Sequence, residues 1–347
     1  AKAVTREEIE QSLADVEGAY QRLRLVMDAW CAMWFWPLTT RLTDGAALPS
    51  VDAWLDALEG VLGKGQKLSK KQAAAAEQRL AHGEIALTVP TTWRDLGASE
   101  ATEFSLAEML PVTEVLTEHP WLAACQRIAA EQGFHHWELD FATVFAKGGF
   151  DLQVGNPPWV RPRSDVSALL AEANPWFMLA TKPTTAQKNA KRAEALEVAG
   201  IPELVLDGTA SVQSVAAFIG DAATFPVLAG LQPDLYRAFM TLTWRNNSRD
   251  GVVTLIHPES HFTDEKAGAL RRETYSRLRR HWQFVNELHL YEIHNLVTYG
   301  THVYASPGSV DFLSAASLYH PETVTRSFLH DGSGSEPGLK TADGKWD

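Results

Sequence analysis

Residues Phe150 to Gly155 form an apolar, strand-like segment that runs directly into the turn Asn156-Pro157-Pro158-Trp159. Each proline fixes φ and removes a backbone donor, so this turn is predicted to be rigid. The carbonyl groups of Asn156 and Pro157 can then serve as fixed hydrogen-bond acceptors, and Trp159 adds a flat aromatic surface beside them. The pattern predicts a rigid acceptor site at the end of a sheet strand.

A ligand suited to this turn is planar and carries an exocyclic amino group with two hydrogens. A nucleobase fits that description. An enzyme that acts on a base within a duplex must extrude the base, bond to its edge and stack on its face. A bare proline-stiffened loop with Trp159 in the core is the simpler structural alternative.

The tetrapeptide from Asn156 to Trp159 resembles the catalytic motif of amino-group DNA methyltransferases, which has Asn, Asp or Ser, then two prolines, then an aromatic residue. Asn in the first position is typical of N6-adenine enzymes. The lead-in from residue 134 to residue 151 is similar to that of large bacterial restriction-modification and phage-exclusion methylases. Segments 235–239, 250–253 and 257–260 resemble the helix and strand that follow the motif, so the resemblance covers about residues 134–306.

The resemblance implies an α/β fold with a partial Rossmann-like class I methyltransferase core, preceded by a mainly helical region. It implies S-adenosylmethionine as cofactor and double-stranded DNA with a flipped adenine as partner. Arg161 and Arg163 directly follow the turn, where phosphate contacts beside a flipped base are expected. The parent protein would be a DNA adenine-N6 methyltransferase of a restriction-modification or phage-defence system.

The resemblance also implies a role for each residue of the turn. The Asn156 side chain and the Pro157 carbonyl would accept hydrogen bonds from the N6 amino group of adenine. Pro158 would stiffen the turn, and Trp159 would stack on the base in place of the more common Tyr or Phe.

The glycine-rich turn by which family members bind S-adenosylmethionine, Asp-Pro-x-x-Gly-x-Gly, is missing from this sequence. Gly148 and Gly149 precede a strand instead of following one, Asp207-Gly208 lacks a second glycine, and Gly332 lies in a polar tail. We therefore expect a fragment of a longer polypeptide that works with its other domains. The isolated chain is expected to be inactive and to bind the cofactor weakly or not at all.

Composition restricts the other possibilities. A net charge of −12 argues against a protein that coats nucleic acid through its overall field, so local patches must contact DNA. The two cysteines, Cys31 and Cys125, have no paired spacing and indicate neither a disulfide framework nor a thiolate metal site. No apolar run approaches 18 residues, and a cytoplasmic protein without membrane contact is expected.

The chain divides by pattern into a helical region over residues 1–133, a catalytic-half α/β core over 134–325 and a polar tail over 326–347. Thr5 and Glu8 predict a capping box at the start of one helix of about 30 residues that ends before Pro37. Helices are also predicted after Ser50, over residues 64–82, after a capping box at Ser105, and from Pro120 to Gly133. A solvated face is expected for the lysines of residues 64–71.

The second half alternates strands and helices, which is typical of an α/β sheet. Strands are predicted over residues 150–154, 251–258, 285–291 and 302–305, and helices over 185–200, 233–246 and 263–281. His136, Glu138 and Asp140 would share one face of a strand, but no partner cluster accompanies them and the other histidines are dispersed. No metal site is predicted.

Two other functions stay open. The chain could be a non-catalytic DNA-binding or assembly module in which the Pro-Pro-Trp turn is structural. It could also serve RNA or protein amide methylation, since the same tetrapeptide acts on those substrates; the lead-in and the helical region favour DNA.

Overall fold

The structure is a computed structural model that describes residues 4–64 and 93–329. Its helices are α1 (Arg6–Ala14), α2 (Ala19–Ala32), α3 (Val51–Leu62), α4 (Trp93–Leu106), α5 (Val112–Glu118), α6 (Trp121–Gln132), α7 (Trp137–Asp140), α8 (Ala142–Phe145), α9 (Val166–Ala171), α10 (Trp176–Leu179), α11 (Thr185–Leu196), α12 (Ile201–Gly220), α13 (Leu235–Asn246), α14 (Ser260–Thr263), α15 (Gly268–Arg277) and α16 (Pro321–Leu329). Its strands are β1 (Phe150–Gly155), β2 (Asn247–Pro258), β3 (Leu278–Val285), β4 (Thr298–Tyr304) and β5 (Leu313–Leu318).

The chain packs into two compact units. One comprises Ala1–Asp140 with Val166–Ser211, and the other Phe141–Asp165 with Val212–Asp347. The predicted boundaries at residues 133 and 325 stay predictions. Every helix within residues 4–64 and 93–329 is too short or too polar to cross a bilayer.

The core of the first unit lies among α2, α3, α5 and α6. Its fully buried side chains include Leu25, Val61, Val115, Leu122 and Ile128. These residues come from four amphipathic helices, each of which contributes one apolar face. The predominantly helical character expected for this part of the chain is confirmed.

The prediction of one helix of about 30 residues is wrong. The capping box of Thr5 and Glu8 is present, but α1 ends at Ala14 because Asp15 is extended, with φ −66° and ψ 111°. Gly18 then caps the N-terminus of α2. The apolar residues from Ile9 to Trp34 are spaced alternately four and three positions apart across this break, so the spacing does not mark one continuous helix. α1 has no buried residue.

Other helix signals have mixed outcomes. α3 follows Ser50, which caps it, and α6 ends at Gly133, as predicted. Gly63 ends α3, and Gly133 adopts the left-handed conformation. The capping box at Ser105 is wrong, because Ser105 lies inside α4. The predicted helix over 64–82 lies outside the described residues except for Lys64, which forms an exposed ion pair with Glu108 at 3.4 Å.

The second unit contains a five-stranded mixed sheet in the order β1-β2-β4-β3-β5. β1 is parallel to β2, and β3 is parallel to β5, whereas β4 runs antiparallel to both β2 and β3. The α/β prediction is confirmed at this level. β1, β2 and β3 therefore end at the same edge of the sheet.

The predicted strands near residues 150, 251 and 302 are confirmed as β1, β2 and β4. Residues 278–281, predicted to be helical, instead begin β3. Leu278, Trp282 and Phe284 are buried, and the alternation is interrupted at Arg280, where the register with β4 shifts. The strand predicted over 285–291 is wrong, because a 3₁₀ turn follows β3 at Asn286–Leu288.

The lead-in to β1 is also different from the prediction. Residues 137–140 form the helical turn α7 instead of a strand, so His136, Glu138 and Asp140 do not share a strand face. The His136 Nε2 atom lies 2.7 Å from the Asp28 Oδ1 atom in a buried pair. His136 therefore contributes a buried polar contact to the helical unit.

Candidate functional site

The predicted acceptor residue lies where open α/β sheets bind their ligands. Asn156 directly follows β1, and the adjacent parallel strand β2 ends at the same edge. Ligands of such sheets bind outside the carboxyl ends of the strands. Asn156 is exposed, and its side chain has no hydrogen-bond partner among the described residues, whereas Pro157 is buried.

Trp159 anchors the turn to the sheet. Its Nε1–H donates to the carbonyl oxygen of Ile256 on β2 at 3.2 Å. The indole ring packs against Tyr291 and Tyr299, with centroid distances of 5.5 and 5.7 Å. Trp159 is half-buried, so only part of its surface is open to a ligand, and the turn cannot move without breaking these contacts.

Replacing Trp159 by Phe is expected to lower the free energy of unfolding by about 1–2 kcal/mol, because the Ile256 carbonyl loses its donor. Trp244→Phe is the matched control, since the Trp244 Nε1 atom has no hydrogen-bond partner among the described residues. Urea denaturation measures both variants. An equal decrease in the free energy of unfolding of the two variants would contradict an anchoring role for the Trp159 hydrogen bond.

The segment after the turn is tied to the start of α13. The Leu235 N–H donates to the Val160 carbonyl at 3.0 Å. The Arg161 Nε atom donates to the Asp234 carboxylate at 3.2 Å, and Arg161 Nη1 donates to Gln232 at 3.1 Å. Burial raises the pKa of Asp234, and the Arg161 guanidinium opposes that rise.

The two predicted phosphate contacts therefore differ. The Arg161 side chain is 42% exposed and already paired with a buried carboxylate, so part of its charge is neutralised. Arg163 is exposed and forms no ion pair within the part of the chain that the structure describes. Of the two, Arg163 is the more available cation.

A group of histidines that appeared dispersed in the sequence is brought together by the sheet. Strand register places His281 of β3 directly opposite His302 of β4, and His257 of β2 opposite Gly300. The His257 and His302 rings stack at 3.8 Å. The two-residue alternation in the sequence could indicate which face of its own strand each histidine occupies. It could not indicate which strands pair, and the pairing is what brings the histidines together.

Burial determines the charge of these histidines. Burial lowers the pKa of His257 to about 3 and holds that of His302 well below its ordinary value. Both rings are therefore neutral near pH 7. His257 is satisfied, because Nδ1 donates to the Pro258 carbonyl at 2.8 Å and Nε2 lies 2.9 Å from the Tyr304 hydroxyl.

A cavity of about 650 Å³ adjoins this histidine group. Glu259, His281 and Gln283 form part of its wall, and Phe262 and Phe312 contribute apolar surface. The Glu259 carboxylate pairs with His281 Nε2 and accepts a hydrogen bond from Gln283 Nε2 at 2.5 Å. Polar groups thus converge on one side of a largely apolar space.

The described residues do not form the glycine-rich cradle that amino-group DNA methyltransferases use for S-adenosylmethionine. Across residues 4–64 and 93–329, no strand is followed by a glycine-rich turn that opens a helix. Gly148 and Gly149 precede β1, and Gly208 lies within α12. The methyl donor is therefore not assigned to any described residue.

No family model matches the chain, and no curated protein matches it. Among solved structures, it is similar to a nuclease-deletion mutant of the Type ISP restriction-modification enzyme LlaGI in complex with a DNA substrate mimic, at 9% sequence identity and a TM-score of 0.27. The match covers 89% of this chain and 37% of that chain, so this chain spans well under half of that protein.

Proposed function

We propose that this chain provides the base-holding half of a DNA adenine-N6 methyltransferase from a restriction-modification or phage-defence protein. One observation carries the proposal: Asn156, exposed and without a side-chain hydrogen-bond partner in the part of the chain that the structure describes, lies at the carboxyl edge of a partly parallel sheet. Trp159 fixes its turn to the neighbouring strand. The motif resemblance supplies the chemistry, and the position in the fold agrees with it.

In the proposed reaction the chain acts on a flipped adenine. The Asn156 side-chain oxygen and the Pro157 carbonyl each accept one N–H of the N6 amino group. Two such bonds draw the nitrogen lone pair out of conjugation with the ring and fix its direction. Orientation of this kind contributes to rate without a strong base.

Trp159 and Arg163 would complete the contact with DNA. The open part of the Trp159 ring is available to the base, while its Nε1–H holds the turn in place. Exposed Arg163 is available to a neighbouring phosphate, which would position the duplex without reading its sequence.

The resemblance implies S-adenosylmethionine as donor, and we propose that residues other than the described ones bind it. The sheet supports this, because β1 lies at the edge of the five strands found within residues 4–64 and 93–329. Leu152 and Val154 on β1 are 63% and 73% exposed, although both are apolar. Further protein packed against β1 would cover this surface and complete the sheet.

The test is methylation of unmodified genomic DNA by the complete protein supplied with S-adenosylmethionine. We expect N6-methyladenine to appear, measured by mass spectrometry of the digested nucleosides. Calorimetry on the 347-residue chain alone should show weak or no cofactor binding. Absence of any methylated adenine at high enzyme concentration would exclude the proposal.

A structural turn in a non-catalytic DNA-binding or assembly module is the second candidate. The buried Pro157 and the Trp159 anchor favour it, since both would stiffen a loop without a reaction. This candidate predicts DNA or protein binding by the complete protein without methyl transfer. Methyl groups found only in RNA or in protein amides would identify a third substrate class.

A further inference from the structure

The histidine group on the sheet contains a side chain that its surroundings do not explain. His302 is completely buried, and neither ring nitrogen makes a hydrogen bond of normal geometry to a described residue; the Gly300 backbone is a polar neighbour of the ring. A buried polar atom without a partner destabilises the fold, because it has lost its bonds to water and gained none in return. Both ring nitrogens of His257, which stacks on His302, have hydrogen-bond partners. Of these two rings, only His302 lacks such partners.

Two potential ligands lie next to this unsatisfied ring. Glu259, His281 and His302 each offer one nitrogen or oxygen atom, and these three atoms lie within 4.8 Å of one another. The side chains of His281 and Glu259 are 13% and 9% exposed, so all three groups are removed from bulk water. Two imidazoles and one carboxylate are a common ligand set for zinc.

The neighbours orient these groups as the outer shell of a metal site would. The His281 Nδ1 atom lies 3.2 Å from the Ser314 hydroxyl, which leaves Nε2 directed at Glu259. Gln283 Nε2 donates to one Glu259 oxygen at 2.5 Å, and the other oxygen faces His281. Bonds of this type fix the tautomer and direction of metal ligands.

Gly300 preserves the space between the groups. A Cβ atom at Gly300 would lie 2.5 Å from His302 Cε1, 2.9 Å from His302 Nε2 and 3.1 Å from a Glu259 oxygen. A side chain at this position would therefore clash with His302 and crowd Glu259, two of the three groups, so their approach requires glycine here.

We propose that Glu259, His281 and His302 bind a divalent transition-metal ion of the zinc type, with an open fourth position toward the cavity of about 650 Å³. The ion replaces the direct His281–Glu259 contact; His281 then carries its proton on Nδ1 and donates to Ser314. Zinc bonds of about 2.0–2.2 Å set ligand atoms roughly 3.5 Å apart, so the most distant pair closes by about 1 Å. A water molecule or an oxygen-bearing ligand completes the coordination from the cavity.

The proposal is independent of methyl transfer and is tested on the 347-residue chain. After treatment with a chelator, the chain is titrated with Zn²⁺ and, separately, with Mg²⁺ by calorimetry. We expect one Zn²⁺ per chain and no comparable Mg²⁺ binding, because Mg²⁺ prefers oxygen ligands. Co²⁺ should give the visible absorption of a four-coordinate ion.

Variants assign the ligands. His281→Gln and Glu259→Gln should each weaken Zn²⁺ binding by at least about tenfold. His320→Asn is the matched control, since His320 is an exposed histidine outside the cavity wall, and should bind like the parent. Circular dichroism verifies the fold of each variant. Absence of stoichiometric Zn²⁺ binding, or unchanged affinity in both folded variants, would overturn the assignment.

Discussion

Replacing Asn156 by Ala in the complete protein is expected to reduce the rate of adenine methylation by about 10²- to 10³-fold. The size follows from what one directed polar group contributes to a transition state. The variant loses the side-chain acceptor and keeps only the Pro157 carbonyl, so the amino group is no longer fixed in direction. Because Asn156 is exposed and its side chain has no hydrogen-bond partner among the described residues, the fold should be unchanged.

Two further variants make this result specific. Asn156→Asp keeps an oxygen acceptor and should retain more activity than Asn156→Ala. Asn189→Ala removes an exposed asparagine from α11 and should methylate like the parent. The measurement is the initial rate of N6-methyladenine formation, with thermal unfolding as the check on the fold. Full activity of a folded Asn156→Ala protein would remove Asn156 from the mechanism.

The turn could be predicted because its properties are local. Two prolines restrict the backbone whatever surrounds them, and an apolar segment before them predicts a strand. Helix ends such as Gly133 were predictable for the same reason, since a left-handed cap depends on one residue type. The apolar pattern failed to predict the length of the first helix, because Asp15 is extended and ends α1 before α2 begins.

The histidine group could not be predicted, because it depends on strand pairing. His281 and His302 lie on different strands and become neighbours only through the antiparallel register of β3 and β4. The residues before β3 also have a helical pattern, which placed residues 278–281 in the wrong element. A one-residue slip in this register would move His302 to the opposite face of the sheet.

The position of β1 depends on a glycine just before it. Gly149 has a φ of +116°, a backbone conformation that residues with a side chain rarely adopt. A Cβ atom there would lie 2.6 Å from the Asn246 carbonyl oxygen and 2.9 Å from backbone atoms of Asn247 and Ser248. These contacts are all with backbone, which cannot rotate away. Since Phe150 pairs with Asn247, a side chain at Gly149 would separate β1 from β2 where their pairing begins.

Gly149→Ala is therefore expected to lower the free energy of unfolding by about 4 kcal/mol, from backbone strain together with the clash. Gly148→Ala is the matched control: its φ is +100° and nothing lies within 4 Å of its added Cβ, so only the strain of about 2 kcal/mol applies. Urea denaturation followed by tryptophan fluorescence measures both. An equal decrease in the free energy of unfolding of the two variants would show that the close approach to β2 does not contribute to stability. A larger loss of stability in Gly149→Ala would show that the close approach at the start of the β1–β2 pairing stabilises the sheet from which Asn156 extends.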